Sequence, residues 1–177
     1  MTLRSIIALL LVAAFTLSGC EAASVSEEVF PTETARSDQR LDLDAAFQPA
    51  GFVTDAADVF DEEAEKALSD KLEEYNRTAR HPMVVASVPI LGGQPIQTFA
   101  DGLANRWRVG QDDRGVFLLI APNERQMHMS VADGSLERLP NERSQEIVDT
   151  VILPAFRKGD FYVGTDAAID AVTSELR

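Results

Sequence analysis

Cysteine is almost missing from this chain: among 177 residues there is only Cys20. A lone cysteine at that position excludes an internal disulfide, a metal–thiolate cluster and a cysteine nucleophile within a folded domain. Basic residues are also scarce, 16 Lys and Arg against 29 Asp and Glu, and the formal charge is −13. No basic stripe with interleaved aromatics occurs, and such an acid surface repels nucleic acid and anionic lipid, so no nucleic-acid partner is expected. Cationic partners and divalent metals are compatible with it. There is no Ser-His-Asp set, no Gly-rich phosphate loop and no His-Glu-x-x-His. Histidine is limited to His81 and His128. His81 sits between Arg80 and Pro82 in a turn and reads as a surface residue. His128 alternates away from Met127 and Met129, which argues against a His–Met copper site. Trp107 reads as core.

Long hydrophobic runs are missing too, except at residues 6–17. Twelve helical residues span about 18 Å, short of the roughly 30 Å of a bilayer core. With Arg4 before the run and Leu17-Ser18-Gly19-Cys20 after it, the segment has the parts of an export signal. Leu-Ser-Gly-Cys resembles the bacterial lipobox, which implies cleavage after Gly19 and acylation of Cys20. The chain is therefore expected to face the periplasm, held to the bilayer through Cys20. Glu21, rather than Asp, follows the cysteine, which favours the outer over the inner membrane. The expected organisation is a signal peptide (1–19), a flexible acidic tether (20–48) with no sustained apolar period, and one domain (49–177).

Within the domain, residues 61–78 read as a helix with Ala64, Ala67, Leu68, Leu72 and Tyr75 on one face. Asp61, Glu62 and Glu63 favour its positive end, and Glu62–Lys66 and Glu73–Arg77 are spaced as i,i+4 pairs. Residues 83–91 read as a strand buried on both faces, and 96–107 as a second helix. Residues 115–121 form the strongest strand, and the alternating 126–132 its antiparallel, half-buried neighbour. Residues 141–156 read as a helix that Pro154 kinks or ends, 159–164 as a loop, and 165–176 as a last helix. The order α-β-α-β-β-α-α gives an α/β fold, a three-layer α/β/α sandwich around a small mixed sheet. Val84, Phe117, Leu119 and Val148 are expected in its core.

Three blocks carry a family resemblance. They are VTDAADVF at 53–60, ANRWRVG at 104–110 with GVFLLIAP at 115–122, and ILPAFR at 152–157 with GDFY at 159–162. In that order, over residues 51–176, they resemble the TPM domain. TPM domains occur in thylakoid-lumen acid-phosphatase-like proteins, in proteins of photosystem II repair and in bacterial envelope proteins. The resemblance implies the sandwich fold, an acidic divalent-metal site in some members and weak phosphatase activity in a few. This chain departs from the pattern at Leu136, where the family has Glu, and at Asn141, where it usually has Asp.

If 115–121 and 126–132 form a hairpin, Asp112 and Asp113 lie at the same sheet edge as Asp133, near the helix start at Asn141. Converging carboxylates suit a hard cation such as Ca²⁺ or Mg²⁺, held weakly here because two family carboxylates are replaced. Asp55 and Asp58 form a second acidic pair, expected at the opposite edge. No residue declares itself a nucleophile or general base. The expected function is a tethered binding or assistance module for an envelope membrane protein. The alternative is a weak metal-dependent acid phosphatase acting on phosphomonoesters.

Overall fold

The structure is a computed structural model that describes residues 46–177. The expected signal peptide, Cys20 and the expected tether up to residue 45 lie outside the described residues.

Four strands form one sheet in the order β1 (Val53–Asp55), β2 (Met83–Ser87), β3 (Val116–Ala121) and β4 (Gln126–Val131). The first three are parallel and β4 runs antiparallel to β3, with Ala121 opposite Gln126 and Val116 opposite Val131. β2 and β3 are buried at every position, as continuous apolar runs require in a sheet covered on both faces. β1 did not announce itself in the sequence. Three residues cannot show a period, and it is a strand because Val53 pairs with Val85.

One face of the sheet carries α1 (Glu62–Asn76), α3 (Asn141–Ile147), α4 (Leu153–Phe156) and α5 (Phe161–Leu176), packed on Val85, Val116, Leu118 and Ile120. Among the described residues, α2 (Ile96–Arg106) is the one helix on the other face, and its Phe99 and Leu103 meet Val84, Phe117 and Leu119. This is the expected three-layer sandwich. The crossovers β1–α1–β2 and β2–α2–β3 step the same way along the sheet yet lay their helices on opposite faces. Their hands are therefore opposite, and one belongs to the rare left-handed class.

Asp61 caps α1, its carboxylate accepting from the Ala64 N–H at 2.8 Å. The expected ion pairs on this helix are replaced by others: Lys66 meets Asp70 at 2.6 Å and Arg77 meets Glu74 at 2.6 Å. Ala67 is exposed, so the buried stripe is Ala64, Leu68 and Leu72. Pro154 perturbs the helix upstream of itself. A π-helical turn at Val148–Ile152 joins α3 to α4, absorbing the hydrogen bond that proline cannot give. The last helix starts at Phe161, not 165, so 159–164 is only partly loop. Local propensity at Tyr162, Val163 and Gly164 is poor, but tertiary packing overrides it. The Phe161 ring stacks edge-on to Phe156 at 4.9 Å, and Gly164 lies so close that a Cβ there would sit 2.7 Å from the Phe156 ring. Packing onto the domain begins before Pro49: Phe47 meets the Phe99 ring at 6.2 Å, and its carbonyl accepts from the Trp107 indole at 3.1 Å.

Candidate functional site

The two acidic groups expected from the sequence fall at opposite ends of the strands. Asp55 ends β1, at the carboxyl edge of the parallel strands; Asp113 precedes β3 and Asp133 follows β4, at the other edge.

The Asp55 carboxylate is already used. It accepts from the Val59 N–H at 3.1 Å, from the Phe60 N–H at 2.8 Å and from the Ser87 hydroxyl. Ser87 in turn accepts from the Ala57 N–H at 2.9 Å. Together they shape the turn leading from β1 into α1. Asp58 sits in that turn, exposed and with φ 53°, a left-handed conformation that Asp tolerates.

At the other edge, Asp113 and Asp133 line one open depression of about 470 Å³, joined by Asp101 from α2 and Asn105. Asp112 is exposed and is not part of its lining. Two short contacts bring the segments together. Gly134 N–H donates to the Asp113 carbonyl at 2.7 Å, and a Cβ on Gly134 would stand 2.4 Å from that oxygen. Only glycine allows the turn after β4 to lie this close to the Asp113 backbone. Asp113 itself adopts φ 60°. The floor of the depression is continuous with a groove along β4 that contains Asn141, through the shared residues Asp101, Ser130 and Val131. Ser130 donates to Asp101 at 2.9 Å.

Carboxylate, amide and hydroxyl oxygens are the donors a hard cation takes. Among the described residues, no three His, Cys, Asp or Glu side chains gather closely enough to hold an ion. Asp101 is the member of this group that the sequence reading missed. It lies on the polar side of α2 and becomes part of the depression because α2 crosses the β4 edge.

His81 corrects the sequence reading. It is only 7 % exposed, and its Nδ1 lies 2.8 Å from the hydroxyl of Ser135, a residue with no exposure at all. Ser135 also accepts from the Gly115 N–H at 2.8 Å. A serine hydroxyl has one proton to give and two lone pairs, so Ser135 holds the Gly115 N–H and His81 Nδ1 together, the direction of the second bond following the imidazole tautomer. Burial lowers the His81 pKa, and the charges of Arg114, Arg138 and Arg80 lower it further. The node ties the starts of β2 and β3 to the short turn Asp133–Ser135. His128 faces α2, opposite Leu119; burial lowers its pKa, opposed by the negative charge of Asp101.

The TPM domain family profile matches residues 53–175. No protein of curated function matches the sequence. Among solved structures, the chain is similar to the N-terminal domain of a protein from P. gingivalis, with 24% identity, TM-score 0.63, and coverage of 71% of this chain and 81% of that one. It is also similar to the N-terminal domain of a Corynebacterium glutamicum protein, with 12% identity, TM-score 0.58, and coverage of 73% and 82%. A third is a protein of the psychrophilic bacterium Bizionia argentinensis, with 15% identity, TM-score 0.59, and coverage of 68% and 83%. At these identities the likeness speaks for the fold.

Proposed function

This chain belongs to the TPM domain family, and from that premise we propose that it is a lipid-anchored, periplasm-facing module that binds envelope membrane proteins through its acidic sheet edge. Acylated Cys20 would anchor it, in the outer membrane by the Glu21 criterion, and the tether would give the domain reach. The observation that carries the reading is where the acid lies. Asp101, Asp113 and Asp133 rim an open depression at the surface, which supports contact with a partner over enclosure of a small substrate. The hydroxyl–imidazole pair Ser135–His81 lies inside the domain and is committed to Gly115, out of a substrate's reach. A Ca²⁺ or Mg²⁺ ion held by Asp113 and Asp133 would neutralise their repulsion and offer a weak bridge to a partner's oxygens.

The test is capture of partners by the lipidated chain from detergent-solubilised envelope, with and without chelator, beside a variant carrying Asp113→Asn and Asp133→Asn. The expected result is a membrane protein retained by the wild type and lost with the variant. Chelator-sensitive hydrolysis of a phosphomonoester, abolished by Asp113→Ala, would overturn the reading in favour of the phosphatase. Anchoring is tested separately by membrane fractionation of Cys20→Ala; a variant that still reached the membrane with processed mass would refute it.

A further inference from the structure

Among the described residues, β4 is the last strand of the sheet and has one neighbour, β3. Backbone direction alternates along a strand, so half of its N–H and C=O groups must face away from that neighbour. Hydrogen bonds around β3 say which half. The Val116 N–H donates to the Pro82 carbonyl at 2.8 Å and the Ile120 carbonyl accepts from Val88 at 2.9 Å, so 116, 118 and 120 face β2. The Gly115 carbonyl accepts from the Ala132 N–H at 3.0 Å, so 115, 117, 119 and 121 face β4. In the register of the hairpin, Gln126, His128 and Ser130 then return the bonds. Met127, Met129 and Val131 point their backbone groups outward. Among the described residues, none donates to or accepts from those outward groups.

Such an edge is usually blunted by a lysine, a proline or a covering element. β4 reads Gln-Met-His-Met-Ser-Val, with neither lysine nor proline. A groove of about 380 Å³ runs along it instead, walled by Gln97 and Asp101 of α2 on one side and by Asn141, Ser144 and Gln145 on the other.

We propose that this groove receives an extended basic peptide segment of the bound partner, which adds to the sheet as a fifth strand beside β4. The inference rests on the binding-module reading and states how that module would grip. Charge selects the occupant. Among the described residues, Asp101 is the only carboxylate lining the groove, and the adjoining depression adds Asp113 and Asp133. Negative charge therefore grows from the middle of the groove toward the end of β4. Side chains of an added strand alternate between faces. One set would meet Asp101 and favour Lys or Arg. The other would meet Val148, which lines the opposite wall, and favour an apolar residue. Main-chain bonds would supply affinity and the alternation specificity, as in other strand-addition complexes.

The experiment uses the full chain, amide hydrogen exchange read by NMR, and a short blocked peptide of alternating lysine and valine. The expected result is slowed exchange at Met127, Met129 and Val131, with Gln126, His128 and Ser130 unchanged because β3 already protects them. The same peptide, N-methylated at alternate residues, keeps its charge but cannot pair; it should bind roughly tenfold more weakly. Asp101→Asn should weaken the unmodified peptide by several-fold. Equal binding of the two peptides would overturn strand addition while leaving an acidic-edge contact in place. Carboxylate-dependent capture of an envelope protein, with no protection of β4 by peptide or captured partner, would overturn it too and leave the module reading standing. Loss of the carboxylate dependence itself would remove both.

Discussion

Replacing Ser135 by Ala tests the node that holds the acidic edge in shape. The substitution removes one oxygen and leaves two groups without their partner: the Gly115 N–H and His81 Nδ1, each 2.8 Å from the hydroxyl. Gly115 and His81 are buried, and Ser135 has no exposed surface through which water could replace the hydroxyl. An abandoned buried polar group costs about 1–3 kcal/mol. Two such groups imply a loss of about 2–6 kcal/mol, a large share of the roughly 5–15 kcal/mol that holds a domain together. Urea denaturation followed by circular dichroism measures it as a lower midpoint at unchanged slope. His81→Ala removes the other end of the same contact, so the double variant should lose less than the sum of the singles. A loss below about 1 kcal/mol, or strict additivity, would show that the hydroxyl is replaceable and refute the node.

Gly134→Ala should displace the Asp113 loop, since its Cβ would meet the Asp113 carbonyl at 2.4 Å. A cost of about 1–3 kcal/mol and shifted amide resonances at Asp113 are expected, and an unperturbed spectrum would contradict the packing. Both histidines have pKa values lowered by folding from 6.5. Their contribution to stability is complete above that value and is lost as pH falls through the lower folded values; denaturation midpoints at a series of pH values should show the decline, flattened in His81→Gln. Leu119→Ala, at a position with no exposure, should cost about 2–5 kcal/mol, and no loss in the same denaturation assay would mean β3 is not the core strand. Excess Ca²⁺ should raise the thermal midpoint modestly in the wild type and not in Asp113→Ala; no shift in the wild type would remove the metal from the proposed function.

The strands and helices were legible where the chain repeats a period long enough to read. β3 and β2 are unbroken apolar runs, and α1 has three full turns of stripe with an acidic cap. β1 was hidden because its strand character comes from pairing with Val85. The first turn of α5 was hidden because the contact with Phe156 overrules Tyr162, Val163 and Gly164. Part of the acidic site could be derived: a hairpin connecting β3 and β4 brings Asp113 and Asp133 to one edge. Asp101 could not, because nothing in the spacing along α2 tells which strand the helix will cross. His81 misled for a related reason. A His-Pro turn reads as surface, and only a hydroxyl 54 residues onward makes it interior.

The uneven covering of the sheet has a consequence for motion. One face is held by several helices, and among them Lys71 of α1 grips Asp166 and Asp170 of α5 at 2.6 and 2.8 Å. Among the described residues, the other face has α2 as its one helix, with Phe47 packed against it. That helix begins at Pro95 without a side-chain cap and carries Gly102 at its centre, a residue that weakens a helix interior by about 1 kcal/mol. Native-state openings should therefore be ranked, with α2 loosening as a unit at lower free energy than the layer opposite. Since Gln97 and Asp101 ride on α2, the width of the β4 groove would follow that loosening. A strand seated there would tie α2 down, turning the least secure layer of the domain into one that records occupancy.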